Sequence, residues 1–458
     1  MNYPIWEVKG IGLPWVIGII AIFHIMISHF AVGGGLYLAL AEAKAIKEGR
    51  ANWFPLLQAH SKFFLVLTGV FGAVSGVGIW FSIGLIQPEA TSTLIHNFVF
   101  GWAIEWVFFI VELTSAAVYY YTWNRIPAAL HLKVGWLYAI SSICTLVIIN
   151  GILTFMLTPG TTWLGVVGSG HESSYFWNAF FNPTYWPSLV LRTLVCISLA
   201  GVWALVTYSR LDDDSYGNAK TQLIRWSTKW LAPAFLLMPV TFLWYIMMVP
   251  DANKHLLELG MASIGQGSFT QVTRIALLSV MSTSTIAAVA YLFAYKFPKD
   301  FSPSHSIAIL LLALAATGST EYAREAIRKP FVIGSHMYSN SVRVRDVAKF
   351  NQDGYLTHSM WTPSGPSVSQ HELGKAMFRG QCMSCHTENG YRSMKRFLEG
   401  RDAKAVGNIL SMLRQNKSDS PYHAYMPPLV GKDEEVAALQ AFLLSLNQTT
   451  SANAVAKR

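Results

Sequence analysis

Charge is scarce in this chain. Only 13% of its 458 residues are Asp, Glu, Lys or Arg while 52% are hydrophobic, a balance that excludes an ordinary soluble protein. Cysteine is scarcer still. Of the four present, Cys144 and Cys196 stand alone in apolar runs and read as buried thiols, so no disulfide framework is expected. A concentrated basic patch is also missing. The formal charge of +9 is spread over loops between apolar segments, where orientation in a membrane explains it and nucleic-acid binding does not. The first ten residues lack the basic cluster of a secretory signal, and the first apolar run is long enough to remain as a span, so no cleavable leader is expected. Beyond Phe331 long apolar runs cease, and the sequence turns mixed, charged and rich in Gly, Pro and Ser. The expected fold class is all-α: a polytopic membrane helix bundle over 1–335, a linker over 336–370 and a small all-α domain over 371–450.

A helix needs about 20 apolar residues to cross the hydrocarbon core. Eight stretches qualify: Pro14 to Ala41, Phe63 to Ile86, Phe98 to Trp123, Val134 to Leu157, Trp186 to Tyr208, Trp230 to Val249, Val272 to Tyr295 and Ile307 to Ile327. The loops after spans one, three, five and seven carry Lys44, Lys47, Arg50, Lys62, Arg125, Lys133, Arg210, Lys220, Arg225, Lys229, Lys296 and Lys299. The loops after spans two, four and six carry Lys254 alone. Twelve against one is a positive-inside pattern that places the first set in the cytoplasm and both termini, with the soluble tail, on the periplasmic side of a bacterial-type inner membrane.

The tail contains Cys382-Met383-Ser384-Cys385-His386, a C-x-x-C-H run. Two thiols one helical turn apart can form thioethers to the vinyl groups of a haem while the following His ligates its iron. Gly374 to Gln381 reads as the helix leading in, and Asp433 to Leu446 as an amphipathic closing helix with an acidic first turn. Tyr425-Met426-Pro427-Pro428-Leu429 lies between them. This tail resembles a class I cytochrome c, and the resemblance implies that Met426 is the sixth iron ligand of a covalent haem c. His423 is the alternative. A His/Met pair raises the reduction potential relative to two His, as suits a one-electron relay.

Ionisable side chains inside a span are costly unless paired, protonated or bound, so each is a functional candidate. Glu105 and Glu112 in span three lie seven residues apart, on one helical face, and two carboxylates at different depths suit a proton path. His24 and His29 in span one are five residues apart and face differently, so one haem is not expected to engage both. His24 is the candidate iron ligand, and the Gly33-Gly34-Gly35 run beyond it permits close approach of a helix or a porphyrin. Span eight ends in Glu321, Glu325 and Arg328, read either as an interfacial charge cluster or as an iron-ligating carboxylate with an Arg on haem propionates.

Together these segments resemble subunit I of the cytochrome bd quinol oxidases. The points of contact are Phe23-His24, Ala103-Ile104-Glu105 followed by Glu112, Asn150-Gly151, and Glu325-Ala326-Ile327-Arg328-Lys329-Pro330-Phe331. The resemblance implies that His24 and Glu325 are axial ligands of two membrane haems of b or d type, with Glu321 a substitute for Glu325. It implies that Arg328 meets haem propionates, that Glu105 and Glu112 line a proton route, and that a second membrane subunit accompanies the chain. Departures accompany it. Span five carries Arg192 about where the family has the His of its low-spin haem b, and Met281 in span seven does not align with that haem's Met ligand. The quinol-oxidising loop after span six shrinks to the stretch Asp251 to Gln271 around His255, and the soluble tail stands where a ninth span would be.

Three functions are compatible with these residues. The first is an oxidase-like enzyme in which haem c exchanges electrons with extracytoplasmic cytochromes and the membrane haems reduce oxygen or another small oxidant. The second is a conduit from membrane quinol to external cytochromes without oxygen chemistry. The third is a haem-based sensor, for which a proton path has no use.

Overall fold

Long apolar sequence and the need to satisfy every backbone group inside lipid dictate helices, and helices dominate. The computed structural model describes residues 6–251, 253–254, 258, 270–364 and 367–455. Among them, eight helices are long and apolar enough to cross a membrane: Leu13–Lys47, Ala51–Ile86, Pro88–Tyr121, Ala128–Phe155, Tyr185–Ser209, Asp213–Met248, Thr273–Lys296 and Pro303–Arg328. The chain is a multi-pass membrane protein.

Several spans run beyond the apolar segments that define them in the sequence, for identifiable reasons. Span one continues past Ala41 to Lys47 because Ala41 and Ala45 remain in the core while Lys44 and Lys47 sit in the last turn, where cations complement the helix dipole. Span two begins at Ala51 because its first turns are amphipathic and bury Leu56, Leu57, His60 and Phe64. A π turn at Leu67–Gly72 then interrupts it. Span six begins on Asp212, whose carboxylate accepts from the Ser215 N–H at 2.9 Å.

The chain divides into two compact units. One comprises Ile20–Ile79 and Ile95–Ile327. Its core is aromatic, with Tyr37 packed on Trp226 and Trp230 and with Phe30, His60, Phe63 and Trp203 in mutual ring contact. Small residues set its helix spacing. A Cβ on Gly33 would lie 1.9 Å from the Cys196 carbonyl oxygen of span five, and one on Gly35 would lie 2.1 Å from the Tyr138 ring of span four. The triple-glycine run is therefore filled by close approach of neighbouring helices and rings. Asn150, fully buried, donates to the Tyr185 carbonyl at 2.9 Å and ties span four to the start of span five. Large apolar side chains such as Val74, Phe100, Leu236 and Met247 face outward, as suits contact with lipid.

The other unit comprises Met1–Ile19, Trp80–Leu94 and Arg328–Arg458. The hairpin Phe331–Ile333 with Met337–Tyr338 leads from span eight. The turn that follows docks on the connection between spans two and three: Gln87 donates to the Ser339 carbonyl at 2.8 Å and accepts from Ser341 at 2.9 Å, and Arg343 pairs with Glu89 at 3.1 Å. Met383 packs with Leu13 and Ile86. The Tyr391 N–H donates to the Gly10 carbonyl at 2.6 Å. Three longer helices follow in this unit. Gln370–Gln381 starts in a capping box of Ser369 and Glu372. Ala403–Gln415 is capped by Asp402 and stops at left-handed Asn416. Asp433–Val455 crosses the first of them so closely that a Cβ on Gly374 would sit 2.1 Å from the Ala438 carbonyl oxygen. Glu435 accepts from the N–H groups of Tyr355, Leu356 and Lys432, each at 2.8 Å, and so anchors the segment around residue 355 to the closing helix.

Candidate functional site

The C-x-x-C-H run follows directly from the helix Gln370–Gln381. Its thiols are both free. The His386 Nδ1 lies 3.0 Å from the Arg392 carbonyl oxygen, an atom that can only accept, so Nδ1 carries the proton and Nε2 keeps its lone pair for a metal. Free thiols one turn apart beside an imidazole held in that tautomer fit a covalently bound haem. Burial pushes the Cys382 thiol up to about 12. Burial also acts on Cys385, but the Lys329 ammonium, with Nζ 3.8 Å from the sulfur, and Ser384 and Arg392 bring that thiol below its usual range. Ser339 lies 3.9 Å from the same sulfur. The strap leaving span eight thus touches the attachment site.

Met426 is half-buried in the Pro-rich segment, with its N–H on the Tyr422 carbonyl at 2.9 Å. His423 is exposed, and its Nδ1 engages Asn416 Oδ1 at 2.9 Å. A residue that sequence reasoning passed over joins this segment to the attachment motif. Gln381, buried next to Cys382, donates to the Val430 carbonyl at 2.7 Å and accepts from the Val430 N–H at 2.9 Å. This two-point amide clamp fixes the backbone just before the thiols to the backbone just after the Met-Pro-Pro run. A polar residue abutting the motif on a buried helical face is the only trace of it in the sequence.

His24 is half-buried, and its Nδ1 lies 3.0 Å from Ser75 Oγ. The Ser75 hydroxyl donates to the carbonyls of Phe71 and Gly72, at 2.6 and 3.1 Å, so its oxygen receives the Nδ1 proton and the His24 Nε2 is left as a donor atom for metal. Gly76 leaves room for the ring, since a Cβ there would lie 3.3 Å from His24 Cε1. His29 points elsewhere. Its Nδ1 bonds the Ile25 carbonyl of its own helix at 3.0 Å, and the ring lies within electrostatic reach of Arg192 and Glu321. Arg192 belongs to a charge cluster with Glu321, Arg324 and Tyr245, in which Arg324 pairs with Glu321 at 2.7 Å. Glu321 is thereby taken by an ion pair. Glu325 is half-buried one turn on, and Arg328 is buried at the end of the helix. Met281 is exposed on span seven, and the segment around His255 lies outside the described residues.

Glu105 and Glu112 share one face of span three. Glu112 is buried and accepts from Thr145 of span four; Glu105 is half-buried without a hydrogen-bond partner among the described residues. A further carboxylate escaped the sequence reading. Glu42 near the end of span one lies 2.7 Å from His131 Nδ1, at the start of span four, and accepts from the Tyr119 hydroxyl at 2.8 Å. All three side chains are buried. Among the described residues no three His, Cys, Asp or Glu side chains converge on a site for a metal held by protein alone. A haem iron needs only one or two axial donors.

A helical membrane bundle with separate intramembrane His and Glu side chains, continued into a helical domain built around a haem-attachment motif, defines a membrane-bound haem electron-transfer protein. Residues 14–248 match the family model for cytochrome bd terminal oxidase subunit I, and residues 371–447 match that for cytochrome c. The first match spans more than half of the chain, which belongs to the cytochrome bd terminal oxidase subunit I family. Among solved structures it is similar to the bd oxidase from Geobacillus thermodenitrificans, with a TM-score of 0.55 and 16% identity over 70% of this chain and 87% of that one. At that identity the likeness is one of fold. No curated protein matches the chain. The cytochrome c region implies a haem c, and the family implies haems within the membrane.

Proposed function

We propose that this chain is the haem-bearing subunit of a respiratory terminal oxidase in which electrons enter through a C-terminal haem c, and the membrane site reduces oxygen or another small oxidant. The observation that carries the reading is shared by two histidines far apart in sequence. In both His24 and His386 the Nδ1 is occupied by an oxygen acceptor and Nε2 is left for iron.

The haems supply one-electron redox chemistry when bound. Cys382 and Cys385 would attach one of them, and His386 and Met426 would be the side chains that hold its iron. His24 and Glu325 are the donors to two membrane haems of b or d type, and Arg328 neutralises propionates. Glu105 and Glu112 hold and pass protons toward the reduction site. Arg192 fills with charge a place where the family has a haem-ligating His, which favours haem c over a low-spin membrane haem as the electron port. The basic loops orient the spans with both termini and the cytochrome c domain on the periplasmic side, so extracytoplasmic cytochromes are the electron partners. The outward apolar faces meet lipid and a second membrane subunit. Quinone is the competing donor.

The test uses the purified complex with a small soluble redox mediator as electron donor. Oxygen uptake is expected from the native protein, and His24→Ala is expected to lose a membrane haem from the optical spectrum together with that uptake while covalent haem persists on a denaturing gel. Full uptake with an unchanged spectrum in His24→Ala overturns the ligand assignment. No uptake from native protein with all haems present favours a conduit between quinol and cytochromes.

A further inference from the structure

We infer that Glu42 and His131 form the loading site of a proton route that enters from the basic-loop side and leads along spans three and four to Glu112. The inference rests on the reading of Glu105 and Glu112 as proton carriers and adds their source.

Sevenfold spacing supplies the first argument. Span three carries Glu105, Glu112 and Tyr119, and span four carries Thr145, Tyr138 and His131, each set in steps of seven residues. Such steps keep side chains on one face about 10 Å apart. The two faces meet along this column, since the Tyr119 and His131 rings are in tilted contact with centroids 4.3 Å apart and Thr145 donates to Glu112. Span one supplies Glu42 at the lower end and, seven residues earlier, Gly35.

Proton positions supply the second. His131 Nε2 lies 2.8 Å from the Tyr119 carbonyl oxygen, which can only accept, so Nε2 always carries hydrogen. The 2.7 Å contact between Nδ1 and Glu42 Oε1 then holds one further proton, on the ring or on the carboxyl. Tyr119 donates to the other carboxyl oxygen. The unit is neutral with that one shared proton. Losing it would leave a lone pair facing a buried carboxylate, so release to Glu112 requires replacement from water on the basic-loop side. One proton enters and one leaves, and the pair returns to its starting state; the matching electron comes through the haem chain.

A gap between the two ends supplies the third. A cavity of about 10 Å³, close to the room one water needs, is lined by Gly35, Leu38, Ala116, Tyr119, Gly135 and Tyr138, with Phe64 closing it. It separates the Glu42 unit from the level of Glu112. The lining is apolar, so the gap is dry at rest, which suits a barrier against back-flow.

A structural clamp of three helices would use the same contacts, and Glu42→Gln separates the two roles. The amide can donate to neutral His131 Nδ1 and accept from Tyr119, so the clamp survives, but it has no proton to give. In reconstituted complex driven by a small soluble mediator with oxygen as oxidant, Glu42→Gln is expected to lower turnover and dye-detected proton uptake from the basic-loop side by about tenfold or more. Haem content should be unchanged. Gly135→Ala, whose Cβ would lie 3.0 Å from the Tyr119 ring, narrows the gap while leaving Glu42 and His131 unsubstituted, and carries the test if Glu42→Gln fails to assemble. A slowed Gly135→Ala supports the route, and native uptake in it overturns the route. Native uptake in Glu42→Gln beside a slowed Glu112→Gln overturns the loading site alone. Native uptake in both overturns the Glu105 and Glu112 reading as well.

Discussion

Met426 and His423 stand three residues apart in one Pro-rich segment, and their surroundings differ. His423 is exposed and engaged with Asn416 through Nδ1, whereas Met426 is half-buried just before the backbone that Gln381 clamps beside Cys382. The thioether is the softer donor and favours ferrous iron. Met426→Ala is therefore expected to lower the haem c reduction potential by on the order of 100 mV, within the ~0.8 V over which axial ligands act. His423→Ala should shift it far less. A redox titration that ranks them the other way reassigns the sixth ligand.

The helix Gln370–Gln381 and the closing helix Asp433–Val455 meet at Gly374, and that crossing places the attachment motif. Gly374→Ala gains about 1 kcal/mol of helix propensity. Against this, the new Cβ would lie 2.1 Å from a backbone oxygen that cannot rotate away, so the helices must separate, at the upper end of the roughly 1–3 kcal/mol typical of overpacking. Net destabilisation of about 2 kcal/mol is expected, read as an earlier loss of haem c absorbance in urea. Equal midpoints would show that the crossing is adaptable. At this scale the sequence was legible where chemistry interrupts a pattern. Glu105 and Glu112 stand out from an apolar run, and the C-x-x-C-H run is contiguous. Glu42 and His131 did not stand out, because each lies just past the end of an apolar stretch and reads as loop; only burial of the helix ends brings them together. The sevenfold spacing of Tyr119 with Glu112, and of His131 with Tyr138, is the signal that would have exposed them. The docking of Ser339, Ser341 and Arg343 on Gln87 and Glu89 joins residues some 250 apart in the chain, and no local pattern encodes it.

For the whole molecule, the decisive question is where electrons enter. Span five offers Arg192 in an ion-paired cluster, and span eight continues into a strap that touches Cys385 through Lys329 and Ser339. Within its own compact unit the cytochrome c region packs on Gln87 and Glu89 and, through Met383, on Leu13 and Ile86. Replacing both thiols, Cys382→Ser with Cys385→Ser, removes covalent haem without touching any residue inside a span, because attachment chemistry is local while span insertion depends on lipid-phase packing. Peroxidase-stained denaturing gels verify the loss. The double variant is then expected to lose at least about tenfold in oxygen uptake driven by a reduced soluble cytochrome, since the port rather than the reduction site is gone. Uptake driven by a small mediator able to reach the membrane haems should fall much less. A quinol should drive neither protein well. Strong quinol turnover that survives in the double variant would place a second electron entrance within the spans, and the role of haem c would then be to pass electrons outward.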